Sequence, residues 1–241
     1  MPQVRLKVKL LTKTSGPELA ASMGARICYS PAGIDELAEA GESPKLIGRL
    51  MELGHLSTIE HASFTFGIEG VSRVLLAQIT RHRIASFSVQ SQRYVCQSKG
   101  AGEFSYIVPP AIEQLGDDAV QEYKRQMSAM QEWYAGWIER LGGEGEGANE
   151  DARFVLPNAC ETKLIMTMNA RELLHFFSLR CCNRAQWEIR ELAWEMLKLC
   201  RQEAPALFKN AGPDCASGPC SEGKMSCGRA EEVRQRCAHL S

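Results

Sequence analysis

Around Gly70 the chain changes its hydrophobic period, and few features restrict a fold as much as such a change. Upstream, His61-Ala-Ser-Phe-Thr-Phe-Gly-Ile sets Phe64, Phe66 and Ile68 two residues apart, the pattern of a strand with one buried face. Downstream, Val71, Val74, Leu75, Gln78 and Ile79 share one side of a helix. A strand passing through a glycine into a helix delivers the next segment to a defined place. That segment is Arg81-His82-Arg83.

The same mixture of periods recurs along the chain. Val4, Leu6, Val8 and Leu10 alternate with polar residues as in a half-buried strand. Ser43-Pro44 opens a helix that Gly54 closes, with Ser at the N-cap and Pro at the first helical position. Phe104 to Val108 reads as a short strand stopped by Pro109-Pro110, and Asp117 to Leu141 as a long helix with two acids at its positive pole. The glycine-rich stretch from Gly142 to Gly147 interrupts as a loop. Lys163 to Met168 alternates like a strand, and Asn169-Ala-Arg-Glu172 has the spacing of a capping box opening another helix. A last long helix is expected from about Ala185 to Leu207. Strands and helices mix without βαβ regularity, which predicts an α+β fold with a central antiparallel or mixed sheet flanked by helices. We expect a single large domain over residues 1–210, followed by a Cys/Gly/Pro-rich extension over 211–241 that is loop-like until Arg229.

The chain has 241 residues and a net charge of −1, so no global field draws it to nucleic acid or membrane, and neither is expected as a partner. An anionic ligand must be met by local arginines. The N-terminal segment is basic but lacks the apolar core of a signal peptide, and no run is long enough to span a bilayer, so a cytoplasmic setting is expected. Of ten cysteines, Cys28, Cys96, Cys160, Cys181, Cys182 and Cys200 lie in apolar or helical contexts that suit packed thiols. Cys215, Cys220, Cys227 and Cys237 crowd the tail without the paired spacing of a zinc ribbon, so no metal site is expected.

Arg81-His82-Arg83 alone could be a solvated helix end. Within ten residues, however, follow Ser86, Ser88, Gln90, Ser91, Gln92 and Arg93. Guanidinium forks bind phosphate oxygens in pairs, and hydroxyls complete such a cradle, so the segment suits a phosphorylated ligand. Ser91 is an obvious candidate nucleophile, but no base is placed beside it by spacing. Cys160 in Pro157-Asn-Ala-Cys160 offers a rival thiol, with Arg153 as the cation that would activate it.

The segment Arg81-His-Arg-Ile-Ala-Ser86-Phe-Ser88-Val-Gln-Ser91-Gln-Arg93-Tyr94 resembles the signature of flavin-dependent thymidylate synthases, with Ser88 standing where that family commonly has Asn. Gly54-His55, Glu60-His61, Gln78, Ala152-Arg153-Phe-Val-Leu-Pro157, Asn169-Ala-Arg171, Leu179-Arg180 and Ala185-Gln-Trp-Glu-Ile-Arg190 extend the resemblance over residues 4–210. It implies a homotetramer with shared active sites that methylates dUMP to dTMP. The implied carbon donor is methylenetetrahydrofolate, the cofactor FAD and the reductant NADPH, with tetrahydrofolate released.

Carried over by position, Gln78, Ser91, Gln92, Arg93, Arg153 and Arg180 would hold dUMP, with Arg180 and Ser91 as the catalytic pair. Ser57, Glu60, Arg81, His82, Arg83, Ser88, Asn169, Arg171, His175 and Arg184 would lie at the flavin, and His55 at the folate-flavin face. His175 and Arg184 occupy positions where many relatives carry Asn and His. The resemblance gives Ser91 an orienting role rather than a nucleophilic one.

Overall fold

The computed structural model describes residues 3–97 and 103–240. In chain order its elements begin with β1 (Lys7–Lys13), α1 (Pro17–Ile27), α2 (Ile34–Glu39), α3 (Pro44–Glu52), β2 (Ser63–Ser72), α4 (Arg73–Ile79) and β3 (Ser86–Val89). There follow α5 (Pro110–Glu113), α6 (Asp117–Arg140), α7 (Glu146–Ala152), β4 (Glu161–Asn169), α8 (Ala170–Arg180), α9 (Trp187–Glu203), α10 (Pro205–Phe208) and α11 (Ala230–Ala238). The strands form one antiparallel sheet in the order β1-β2-β4-β3, which bears out the α+β reading. Two contacts fix the register of β2 on β4. Ala170 N–H donates to Ala62 C=O at 2.7 Å, and the Thr65 and Thr167 hydroxyls meet at 2.9 Å.

Where a single large domain is expected, packing divides the described residues into two compact units. The first is drawn from Met1–Lys7, Ile68–Arg81 and Phe87–Ile165, the second from Val8–Gly67, His82–Ser86 and Met166–Ser241. The signature is cut between Arg81 and His82.

In the first unit, β2 runs on through Gly70 to Ser72, and α4 starts only at Arg73, later than the hydrophobic pattern suggests. Val71 therefore belongs to the strand. The Ser72 hydroxyl caps the helix by accepting from Leu75 N–H at 3.1 Å. Gly70 has φ 69° and passes close to the Arg5 carbonyl, and β1 begins only at Lys7. Val4 N–H instead donates to Tyr106 C=O at 3.1 Å. Phe104 to Val108 makes only isolated bridges through Tyr106, because Pro109 and Pro110 leave no donors to extend a ladder. The side chains of α6 close two apolar clusters, one holding Tyr134 and Ile138 with Cys96, the other Met127 with Phe104, Tyr106 and Cys160.

In the second unit, α3 is capped as its sequence predicts, with Ser43 at the N-cap and Gly54 in the left-handed region just past the end. Helix α1, set behind Gly16 with Pro17 in its first turn, lies in a stretch that hydrophobic periodicity leaves unassigned. The expected helix from Ala185 to Leu207 is two helices. The Gln186 side chain caps α9, and Ala204, at φ −151°, ends it because Pro205 cannot donate into its last turn. The core stacks Phe64, Phe177 and Phe208 edge to face, with centroids 5.3 and 6.0 Å apart.

Residues 211–240 pack within this unit. Arg201 donates to Phe208 C=O at 3.2 Å, Ala211 C=O at 3.0 Å and Cys237 C=O at 2.6 Å. Val233 of α11 is buried. All ten cysteines are free thiols, and among the described residues no three His, Cys, Asp or Glu groups are placed to hold a metal ion. No described helix is long and apolar enough to cross a membrane.

Candidate functional site

In the first unit, α4 carries half-buried Gln78 toward its end, and exposed Arg81 follows. The signature then forms β3, with Ser88 exposed on it. Alternation in Ser86-Phe-Ser-Val was the available signal for this strand, but four residues bounded by serines carry little weight. After β3 the chain turns. The Ser91 hydroxyl accepts from Arg93 N–H at 3.1 Å and from Tyr94 N–H at 3.4 Å. Ser91 thus shapes the turn that aims Arg93, and among the described residues no histidine or carboxylate is bonded to its hydroxyl. That arrangement orients; it does not activate a nucleophile.

Arg93 is gripped by α7. Its guanidinium pairs with Glu146 and, through Nε at 2.6 Å, with Glu150, while Asn149 Nδ2 donates to the Arg93 carbonyl at 3.0 Å. A phosphate approaching Arg93 must compete with two carboxylates. Arg153 Nε donates to Glu150 C=O at 3.0 Å. Its side chain lines a cavity of about 400 Å³ with Arg73, Gln92, Phe154 and Pro157. Arg73 Nε is buried without a hydrogen-bond partner, and burial lowers the pKa of this guanidinium. Among the described residues neither Arg73 nor Arg153 pairs with a carboxylate. Two cations facing one cavity make an anion site. Sequence reasoning passed over Arg73, although a cation at the positive pole of α4 is electrostatically misplaced unless something negative meets it.

Cys160 is fully buried at the first unit's core, and the cation beside it is Arg73 rather than Arg153. Burial pushes its thiol up to about 11, against the opposing pull of Arg73 and of Gln92, whose Nε2 donates to the sulfur at 3.5 Å. A neutral packed thiol is a poor nucleophile. Cys160→Ala is therefore expected to keep turnover within about threefold of wild type. In native protein Cys160 should also stay unlabelled by iodoacetamide at pH 8. Loss of turnover in a variant that remains folded would restore the thiol mechanism.

In the second unit, exposed His55 precedes the turn Leu56–His61, which carries exposed Ser57 and Glu60. Glu60 Oε1 meets Arg171 Nη1 at 2.5 Å, bringing two of the flavin-side residues together. Asn169 caps α8 through Oδ1, which accepts from Glu172 N–H at 2.9 Å. Its amide NH2 is left to donate elsewhere. The expected capping box does not close, because the Glu172 carboxylate turns inward to His82 Nδ1 at 3.2 Å. On the other edge of the same ring, Arg180 Nε donates to His82 Nε2 at 3.0 Å. Phe176 packs edge-on against the imidazole with centroids 5.0 Å apart, and exposed His175 lies 6.1 Å away. Burial holds the His82 pKa below its ordinary value; the Glu172 hydrogen bond opposes this, and the Arg180 charge reinforces it.

Arg83 is exposed. Arg184, expected at the flavin, donates to Met225 C=O at 2.7 Å and pairs with Glu222 at 3.3 Å. Glu172 is the residue sequence reasoning missed here, read only as a cap partner. A carboxylate one turn before Phe176 on the buried face of α8 was the available clue.

Residues 9–206 match the Thy1 family, described as thymidylate synthase complementing protein. The chain is 51% identical over 239 residues to the flavin-dependent thymidylate synthase of Geobacter sulfurreducens, covering 98% of this chain and all of that one. It is 46% identical to the enzyme of that name from Clostridium tetani, over 95% of this chain and 96% of the relative. The corresponding Pyrococcus furiosus protein is 40% identical over 90% of each. The chain is thus a methyltransferase of thymidylate synthesis. The chain belongs to the flavin-dependent thymidylate synthase family.

Proposed function

We propose that the enzyme methylates dUMP to dTMP with methylenetetrahydrofolate as carbon donor, FAD as its flavin and NADPH as reductant, releasing tetrahydrofolate, and that it works as a homotetramer. The observation that carries the dUMP assignment is the cavity where Arg73 and Arg153 meet no carboxylate. A phosphate dianion suits it, since guanidinium forks pair with tetrahedral oxygens. Gln92 lines the same cavity. Gln78, Ser91 and Arg93 hold the rest of the nucleotide, Ser91 by shaping the turn and Arg93 once it exchanges its carboxylates for the ligand.

Arg180 faces the uracil carbonyl edge. Its fixed donors hold that edge so that C5 is presented to the methylene it attacks, and this orientation accelerates the step. The flavin, when bound, supplies the reducing equivalents that turn the transferred methylene into a methyl group. The residues assigned to it fit its chemistry. Its ring edge alternates acceptors and a donor, and Ser57, Arg83, Asn169 Nδ2, His175 and the Glu60-Arg171 pair offer donors and one carboxylate acceptor. Arg81, His82, Ser88 and Arg184 complete the flavin assignment, and His55 takes the folate-flavin face.

An anaerobic assay with dUMP, methylenetetrahydrofolate and NADPH, each omitted in turn, tests the proposal. Purified protein should be yellow, and dTMP formation should require all three together with bound flavin. Continued dTMP formation after the flavin is stripped would overturn it. Sedimentation should give a mass of about four chains of 26.7 kDa.

A further inference from the structure

Within the second unit three charged or titratable side chains form one line: the Glu172 carboxylate, the His82 ring and the Arg180 guanidinium. Glu172 and His82 are buried, at 7% and 5% exposure, so bulk water does not rearrange their protons freely. The proton positions follow from the donors. Arg180 Nε carries its hydrogen at any ordinary pH, so His82 Nε2 must accept with its lone pair. The neutral ring then carries its proton on Nδ1, which lies 3.2 Å from Glu172 Oε1 and donates to it. Without the carboxylate, the Arg180 N–H alone favours that tautomer, and the Nδ1 proton loses its acceptor. The ring could place its proton on Nε2, where it would face the Arg180 N–H donor to donor.

We propose that Glu172 is a positioning residue for thymidylate synthesis: by holding the His82 proton on Nδ1 it turns Nε2 into the acceptor that fixes the plane of Arg180. The inference rests on the proposed roles of His82 at the flavin and Arg180 at dUMP. Glu172 would then join the two ligands through one imidazole. Several features of the helix support it. Asn169 already satisfies the Glu172 backbone N–H, so the carboxylate is not spent on the cap. The first turn of α8 also favours a buried anion through the positive pole of the helix. The groups facing the ring are Glu172, His175, Phe176 and Arg180, all from α8, and Glu172 is the only carboxylate among them.

The arrangement also has a pH limit. Protonating His82 would put a hydrogen on Nε2 against Arg180. Burial keeps the ring neutral by lowering its pKa, whereas the Glu172 hydrogen bond and charge raise it. Replacing Glu172 by Gln keeps an acceptor for Nδ1–H but removes the charge. The His82 pKa should then fall further, and the acid limb of turnover should move to lower pH.

The test pairs a spectroscopic readout with kinetics, using flavin-loaded protein labelled with 15N-histidine. The chain has five histidines, and a His82→Gln variant identifies the signal of interest. In wild type His82 should show a protonated Nδ1 and an unprotonated Nε2. Glu172→Ala should switch or mix that tautomer and raise the KM for dUMP by roughly tenfold to a hundredfold. Glu172→Gln should restore both the tautomer and most of the KM, with the acid limb displaced downward. A wild-type His82 protonated on Nε2 overturns the proposal, and so does a Glu172→Ala protein with unchanged tautomer and KM. If the alanine variant does not fold, the glutamine variant decides: an acid limb that stays in place or moves up refutes the proposal. Protein that makes no dTMP sinks the functional reading, while the tautomer measurement still judges the Glu172-His82-Arg180 line.

Discussion

Gly70→Ala is expected to destabilise the protein by about 4 kcal/mol or more, enough to leave most of it unfolded or aggregated at 37 °C. Gly70 sits at φ 69°, a conformation that costs an L-residue with a Cβ roughly 1–2 kcal/mol. The larger cost is steric. A Cβ built there would lie 1.9 Å from the Arg5 carbonyl oxygen, 2.5 Å from its carbon and 3.2 Å from Leu6 N. These are backbone atoms and cannot swing aside like the end of a side chain. Either the segment before Lys7 is pushed off, losing the Val4 N–H bond to Tyr106, or β2 shifts and breaks the bond from Gly70 N–H to Glu161 Oε1 at 3.0 Å. Gly136→Ala supplies the contrast. Gly136 lies inside α6 with open space around its Cβ position, so that change should stabilise by about 0.5–1 kcal/mol. Urea midpoints of both variants check the pair. A Gly70→Ala midpoint within error of wild type would show that Arg5 can move away.

The contrast between these glycines shows which parts of the fold were readable in the sequence. Gly70 announced itself because the hydrophobic period changes there, but the reading placed the helix start too early. What packs against Gly70 is a neighbour 65 positions away, the Arg5 carbonyl, and no local pattern contains it. The caps at Ser43 and Asn169 were legible because a cap is complete within four residues. The Glu172 carboxylate was misread for the opposite reason. Its spacing from Asn169 satisfies the capping-box rule, yet its partner is His82, 90 residues upstream, which no local pattern contains. The tail was unreadable up to Arg229, since its polar contacts come from distant arginines: Arg201 to Ala211 C=O, Arg184 to Met225 C=O and Arg234 to Cys215 C=O. The arginines of the candidate sites stood out as residue types. Their commitments did not: Arg93 to Glu146 and Glu150, Arg184 to the tail, and Arg73 to a cavity it shares with Arg153.

Those commitments decide how much each arginine can be expected to matter, and Arg180 should matter most. On the proposed reaction, Arg180→Lys should lower kcat/KM for dUMP by roughly a hundredfold to a thousandfold, about 2.7–4 kcal/mol of transition-state stabilisation. Lysine keeps the charge, so a purely electrostatic role would survive the change with a modest loss. It lacks Nε, however, and Nε is the atom that donates to His82 Nε2 at 3.0 Å. A planar fork fixed at one nitrogen presents the others in a set direction, whereas an ammonium on a flexible stem does not. Because orientation of the pyrimidine governs the C5 attack as well as binding, the loss should fall on kcat as well as KM. Arg125→Lys is the matched control. Arg125 is exposed and pairs with exposed Glu122, an ion pair a lysine can remake and one worth little in water. Its effect on dUMP kinetics should stay within about twofold. Steady-state kinetics of the two variants, with circular dichroism confirming that both fold, separate the possibilities. If Arg180→Lys retains kcat/KM within tenfold of wild type, its charge suffices and the oriented guanidinium has no catalytic role. If it falls as expected while Arg125→Lys does not, the hydrogen bond that fixes Arg180 is part of how this chain makes thymidylate.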